Sequence, residues 1–286
     1  MPTTYIRTSN HTVKFANPSK QLQLRVFVNE YRRIAQEIIN HIWTHGYSWT
    51  DKKNQTHTFN PNTNNLHSPS FIDYNQIPIS DTFLTARALS SLVAQLAGMI
   101  SAACEKQRKR LYQLDKLKSS GVPKAKLQKL IKKIKTNIPQ EPNTKNMQME
   151  LSSKCTDWVA TTAYFDGYLR IKSFSKIHGH IKLPVNFHRH SNRLASKGSM
   201  MSSYLINTKG VDIRWKIEKP EIKKTGTSIG VDQGMNDLLT CSDGFTTPKT
   251  CIHGHSLSSI MAGMSRKKKG SKAFKKALDP LLNIVL

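Results

Sequence analysis

The residues best placed to do chemistry are Ile229-Gly230-Val231-Asp232-Gln233-Gly234. An apolar strand runs into an aspartate, and a glycine two residues on supplies a turn that can approach a phosphate closely. Two-metal nucleases use carboxylates at rigid strand ends in this way. The carboxylates fix paired divalent cations ~3.5–4 Å apart, which activate water and stabilise the leaving oxygen. On that reading Asp232 is a candidate catalytic residue and metal ligand; a bare strand–turn fits the same six residues. Other side chains offer less. His178, His180, His188 and His190 lie around a proline turn, and Cys251-x-His253-x-His255 carries soft ligands. Neither group has the second spaced pair of a tetrahedral zinc site, so surface histidines, some beside phosphates, are the expectation. Trp43, Trp49, Trp158 and Trp215 are expected in the core rather than as base-stacking platforms.

The elements that must position these groups follow from periodicity. Tyr5, Val13 and Phe15 alternate weakly and end at Asn17-Pro18, which predicts a short strand or two. Ser19 is a plausible N-cap for a helix carrying Leu22, Val26, Phe27, Tyr31, Ile34, Ile38, Ile42 and Trp43 at three- and four-residue steps. Residues 46–78, rich in Asn, Thr, His and Pro, read as an irregular loop. Ser80-Asp81 is expected to open a second helix, with a stripe from Phe83 to Cys104 that continues through Leu111, Leu114 and Leu117. A third helix is predicted at Leu127–Ile134, after Gly121 and Pro123. Beyond the Pro139–Pro142 linker, Val159–Phe174, Ile181–Phe187, Ser203–Asn207 and Val211–Glu218 are short and β-prone, as in a small antiparallel barrel or sandwich. Ser228–Asp232 and Asp237–Ser242 are expected as two further strands joined by a tight turn at Gly234.

Charge narrows the partner. The 286 residues hold 44 Lys+Arg against 18 Asp+Glu, a formal +26. Such an excess repels itself unless a polyanion neutralises it, and nucleic acids are the commonest polyanions in cells. An anionic membrane surface usually selects one short basic amphipathic helix instead. No run approaches the ~20 apolar residues of a membrane span, and the N-terminus lacks a signal-peptide pattern. Four cysteines without CxxC spacing fit a reducing compartment. Between Glu105 and Lys135 stand twelve Lys+Arg and two acids, too lopsided for ordinary i,i+4 pairing. Lys106, Arg108, Lys109 and Arg110 are candidate phosphate contacts; a solvated helix face is the alternative. Arg266, Lys267, Lys268 and Lys269, in a tract of seven bases from Arg266 to Lys276, are the second candidate group.

Thr225–Asp243, TGTSIGVDQGMNDLLTCSD, followed by SRKKKGSKAFKKA, resembles the TnpB family of transposon-encoded RNA-guided nucleases, kin of the type V CRISPR effectors. In that family an I-G-I-D-x-G strand supplies the first catalytic aspartate of a RuvC-like nuclease, a second strand ends in S-D-G, and a basic helix follows. Tyr168–Val185, with R-I-K-S-F and I-K-L-P-V, is similar to the wedge strands that follow the helical insertion. The resemblance implies an α+β, multidomain chain. Its parts would be a first strand of a wedge domain (1–18), a helical recognition insertion (19–150), a β-barrel wedge (151–224) and the N-terminal part of an RNase H-like RuvC domain (225–286). It implies a guide RNA, a target DNA opened beside a short flanking motif, and Mg²⁺ in a completed nuclease site, in a bacterial or phage-encoded, nucleoid-associated cytoplasmic setting. Lys106, Arg108, Lys109, Arg110 and the 266–269 tract would hold an RNA or heteroduplex backbone while base pairing reads sequence. Taken alone, the G-V-D-x-G run also resembles the first strand of sugar-kinase ATPase domains.

The family carries a later catalytic Glu, a zinc module of CxxC pairs and a third catalytic Asp. After Asp232 this chain has no Glu, and its other acids are Asp237, Asp243 and Asp279. One carboxylate cannot hold two metals, so the chain alone is not expected to cut DNA that way. A truncated nuclease-dead derivative, one half of a split gene completed by a second polypeptide, or an incomplete sequence each accounts for this. A non-catalytic guided repressor or accessory protein and a general basic RNA-binding protein are the rival functions.

Overall fold

A computed structural model describes residues 4–51, 53–63, 66–121, 123, 125, 128, 131, 139–161, 163–219, 226–232, 239–246, 250, 254 and 256–277. The chain forms two compact units, Met1–Lys219 and Pro220–Leu286, and its class is α+β.

Helix α1 spans Pro18–His45. Its cap is Asn17, one residue pair earlier than the expected Ser19: the Asn17 side chain accepts from the Lys20 amide at 3.1 Å, and Pro18 takes a first-turn position where no N–H is needed. The helix buries nine side chains, Leu24, Phe27, Val28, Tyr31, Ile34, Ala35, Ile38, Ile39 and Ile42. Leu22 and Val26, expected on that stripe, point outward. Gly46 ends it at φ 76°, where its N–H reaches Ile42 O at 2.9 Å; an added Cβ there would lie 2.9 Å from Phe59 O.

The stretch expected to be irregular contains a hairpin. Strands β1 (Thr4–Thr12), β2 (Tyr47–Thr50) and β3 (Thr56–Phe59) open the strand count, and β2 pairs antiparallel with β3. Asp51 closes the hairpin by accepting from Lys53 N at 2.8 Å and Gln55 N at 2.9 Å. Tyr47, Trp49 and Phe59 turn inward while Ser48 and Thr58 face out, the alternation of a half-buried ribbon. The polar composition between the few aromatics concealed that pattern.

Helix α2 spans Ala86–Ser119, capped by Thr85 rather than at Ser80-Asp81. Residues 80–84 are held extended by stronger competitors. The Glu37 carboxylate accepts from Ser80 N and Oγ, Arg33 Nη2 donates to Asp81 O at 2.8 Å, and Thr82 Oγ1 donates to Glu30 at 2.6 Å. Leu84 also bridges to Ser175. By length and composition α2 is the one helix among the described residues that could cross a membrane. In the fold its apolar stripe, Leu89, Leu92, Val93, Leu96 and Ile100, is buried in the core.

Beyond α2 lie β4 (Met149–Leu151), β5 (Thr156–Ala160), β6 (Gly167–Ile171), β7 (Ile181–Val185), α3 (Arg189–Ala195), β8 (Gly198–Ile206) and β9 (Gly210–Glu218). Two antiparallel sheets result, one ordered β1-β9-β8-β4 and one ordered β5-β6-β7. β1 pairs with β9 along its whole length, Thr4 opposite Glu218 and Thr12 opposite Gly210, so the helices are inserted between two neighbouring strands. One hydrophobic cluster joins α1, α2 and both sheets; the helical and strand regions therefore share a core. Gly167 leaves space for the Trp158 ring, which an added Cβ would meet at 2.2 Å. Trp49 and Trp215 are buried, and Trp43 and Trp158 pack against the same cluster, as core tryptophans should.

The second unit contains β10 (Val231–Asp232), β11 (Thr240–Cys241) and α4 (Leu257–Ser265). The predicted third helix at 127–134 and the Gly234 turn lie largely or wholly outside the described residues.

Candidate nucleic-acid interface

The C-terminal half of α2 leaves the core after Gln107 and turns basic. Its four candidate cations divide. Arg108 is committed to structure: Nη1 donates to Glu105 at 2.9 Å and Nη2 to the Leu66 carbonyl at 2.7 Å, clamping the loop to the helix. Lys109 stands 3.8 Å from the same Glu105. Lys106 and Arg110, one helical turn apart, make no ion pair among the described residues. They line one wall of a cleft with Met99, Ala102 and Ala103, facing Gln140–Asn143. Among the described residues these are the two cations of the group without an ion-pair partner. Lys116 and Lys118 in the last turn oppose the negative end of the helix dipole.

In the second unit, Gly230 and Ser242 exchange two hydrogen bonds: Gly230 N donates to Ser242 Oγ at 2.9 Å, and Ser242 N donates to Gly230 O at 2.8 Å. That pair of hydrogen bonds registers Asp232 opposite Thr240 with its side chain exposed. Asp243 belongs to the turn, where its Oδ1 accepts from Phe245 N at 3.0 Å beside Gly244 at φ 90°. Asp237 and the Cys251–His255 cluster lie outside the described residues. Among the described residues no three metal-ligating side chains come together. Among the described residues this strand end carries a single carboxylate, which does not fit a pair of Mg²⁺ ions.

The basic tract differs from the expected helix. Arg266 caps the end of α4, Lys267 N donates back to Met264 O at 3.0 Å, and Gly270 at φ 85° turns the chain. Ser271 Oγ accepts from Phe274 N at 3.1 Å and starts a new helical turn over 272–277. Arg266, Lys267, Lys268 and Lys269 thus sit exposed on a connection between two helices, where a glycine and a serine favour a turn.

His180, His188 and His190 are exposed, as expected, while His178 and His188 also tie segments together. His178 accepts or donates at 3.0 Å to Ser175 Oγ and packs edge-on against Phe27 and Phe83. His188 bonds the Asn10 carbonyl at 3.0 Å and stacks on His11.

Two features escaped the sequence. A groove beside β1 and α3 is lined by Arg7, His190, Arg193 and Lys197, with no acid among its described lining residues. Its bases stand up to 190 positions apart in the chain, so only the pairing of β1 with β9 and the packing of α3 collect them. The other is a cluster of aromatic rings on the β5–β6 side, with Phe15 and Tyr164 exposed and Phe165 and Tyr168 half-buried. No family model matches the sequence, and no curated protein matches it.

Proposed function

We propose that this chain is an RNA-guided DNA-binding protein of the TnpB-like RuvC lineage, which cleaves DNA only where the further catalytic carboxylates are supplied elsewhere. The observation that carries the reading is the pairing of the Gly230–Asp232 strand with Thr240–Ser242, which sets one aspartate at a strand end upstream of an exposed Arg266–Lys269 tract. Lys106 and Arg110, without an ion pair among the described residues, and the groove at Arg7, Arg193 and Lys197, with no acid among its described lining residues, supply the backbone grip that guided binding requires. Guide RNA and target DNA are the partners of this reading, and Mg²⁺ belongs to the completed site alone.

The experiment is to purify the chain from cells and sequence the RNA that comes with it. One dominant structured species, together with DNA binding that follows complementarity to its end, is the expected result. Asp232→Ala should leave that binding intact. A mixture of cellular RNAs, bound without regard to sequence and released steeply by salt, would instead identify a general basic RNA-binding protein.

A further inference from the structure

Four aromatic rings gather on the surface of the first unit. Phe165 is the hub: its ring centroid lies 5.8 Å from Phe15, 5.1 Å from Tyr164 and 5.8 Å from Tyr168, with interplanar angles of 55°, 88° and 68°. Phe15 follows β1, Tyr164 and Phe165 lie in the β5–β6 connection, and Tyr168 is on β6. These rings are not core: Phe15 is 42% and Tyr164 81% exposed. Single exposed apolar residues are ordinary, but a contiguous group marks a contact surface.

Chemistry selects the occupant. The cluster consists of rings set at steep angles rather than a smooth aliphatic groove, and Tyr164 presents most of its ring to solvent. Lys14 Nζ sits 5.1 Å over the Phe15 ring, and Val13 N bonds Lys209 O at 3.1 Å, which places a second lysine on the adjoining turn. One carboxylate is close in sequence, Asp166, and its Oδ2 accepts from Phe187 N at 2.7 Å. Exposed rings beside cations are what an unpaired nucleic-acid strand needs: bases stack on the rings and phosphates meet the lysines. Unpaired bases of a folded RNA are splayed onto aromatic side chains in this way.

We propose that Tyr164, Phe165 and Phe15 form a base-stacking site for an unpaired segment of the RNA this chain carries, with Lys14 at its edge. The choice of RNA rests on the function proposed above; the stacking chemistry rests on the rings.

The test uses the whole chain and a 2-aminopurine-labelled unpaired RNA of about ten nucleotides, a length within the site size of single-strand-binding folds. A fully paired RNA hairpin serves as the second ligand. Wild-type protein should quench the probe. Tyr164→Ala, at a position too exposed to affect folding, should lose the quench and bind the unpaired RNA about tenfold more weakly. Tyr164→Phe should keep both, and hairpin binding should be the same in all three proteins. Unchanged quenching and affinity in Tyr164→Ala would overturn the proposal. So would unchanged RNA binding with loss of self-association on sedimentation, which would assign the rings to a protein contact. A wild-type chain that binds the hairpin but not the unpaired RNA rejects the stacking site alone; one that binds neither rejects the RNA-guided reading with it.

Discussion

In the first unit α1 sinks nine side chains between α2 and the two sheets, and Tyr31, Phe27 and Phe174 are essentially without solvent contact. In the second unit the apolar residues of the motif strand and of the turn after its partner stand in the open: Ile229 is 49%, Val231 58% and Phe245 58% exposed. Among the described residues of 220–286, Ile260 is the one buried apolar side chain. Among the described residues the two units therefore hold their shapes by different means. Burial of apolar area stabilises the first. Local backbone and side-chain bonds, such as the Gly230–Ser242 exchange and the Asp243 turn, define the described part of the second.

The largest expected effect lies on that contrast. Phe27 touches Phe174 at 4.6 Å between ring centroids and is 1% exposed, so Phe27→Ala should cost about 3–5 kcal/mol through lost transfer energy and a residual cavity. Val231→Ala should change stability by no more than about 0.5 kcal/mol. Urea unfolding of both variants followed by circular dichroism makes the comparison. If Val231→Ala proves as costly as Phe27→Ala, the second unit has a core of its own and the distinction fails.

Charge sharpens the comparison next. Residues 1–219 hold thirty-four Lys+Arg and thirteen acids, whereas 220–286 hold ten and five. Most of the excess therefore belongs to the well-packed unit. Lys106 and Arg110 are held one turn apart on a rigid helix, so Lys106→Ala/Arg110→Ala should weaken RNA binding about tenfold. It should also flatten the slope of log affinity against log salt by about one to two. Lys267→Ala/Lys268→Ala, on a turn, should do less. Arg108→Ala should instead lower stability and leave the salt slope nearly unchanged, because its guanidinium clamps Leu66 O. Titrations at several salt concentrations separate these outcomes.

What could be read in advance divides along the same line. The stripe of α1 and α2, the tryptophans in the core and the β-prone segments after 150 were legible because each depends on spacing within one element. The start of α2 was not. Ser80-Asp81 has the chemistry of an N-cap, but Glu37 and Arg33 of α1 capture that segment first. The β2–β3 hairpin hid behind polar residues, and Leu22 looked like stripe because helical periodicity does not say where the stripe's edge falls. At the candidate site, Asp232 stood out because a strand-end motif is contiguous. The groove of Arg7, Arg193 and Lys197 and the rings around Phe165 did not, because distant segments assemble them through sheet pairing. Lys106, Arg108, Lys109 and Arg110 looked equivalent in sequence; only the tertiary contact with Leu66 distinguishes Arg108.

The smallest effect tests how the first unit's sheet is tied together. His11 on β1 is buried; its Nδ1 lies 3.0 Å from the Asn186 carbonyl and its Nε2 3.0 Å from Ser9 Oγ, which in turn accepts from Trp215 Nε1 at 2.9 Å. A carbonyl only accepts, so Nδ1 carries the proton, and Nε2 accepts from the Ser9 hydroxyl in the neutral ring. Burial pushes the His11 pKa down, against the Asn186 carbonyl bond; the stacked His188 lowers it further, while Asp212 and Asp166 raise it. The fold therefore favours the neutral form. This contribution to stability is complete above the unfolded pKa of about 6.5 and is lost as pH falls from there through the depressed folded value. The midpoint of thermal unfolding should accordingly fall on acidification below about pH 6.5. In His11→Gln, which has a polar side chain but no titration, this part of the pH dependence should vanish. The second unit has no described buried histidine, so RNA-independent signals confined to it, such as a fluorophore placed near Ser242, should not report the transition. A wild-type chain whose stability rises on acidification through this range would show that the buried ring binds its second proton readily, and that the β1–β9 seam tolerates the charge.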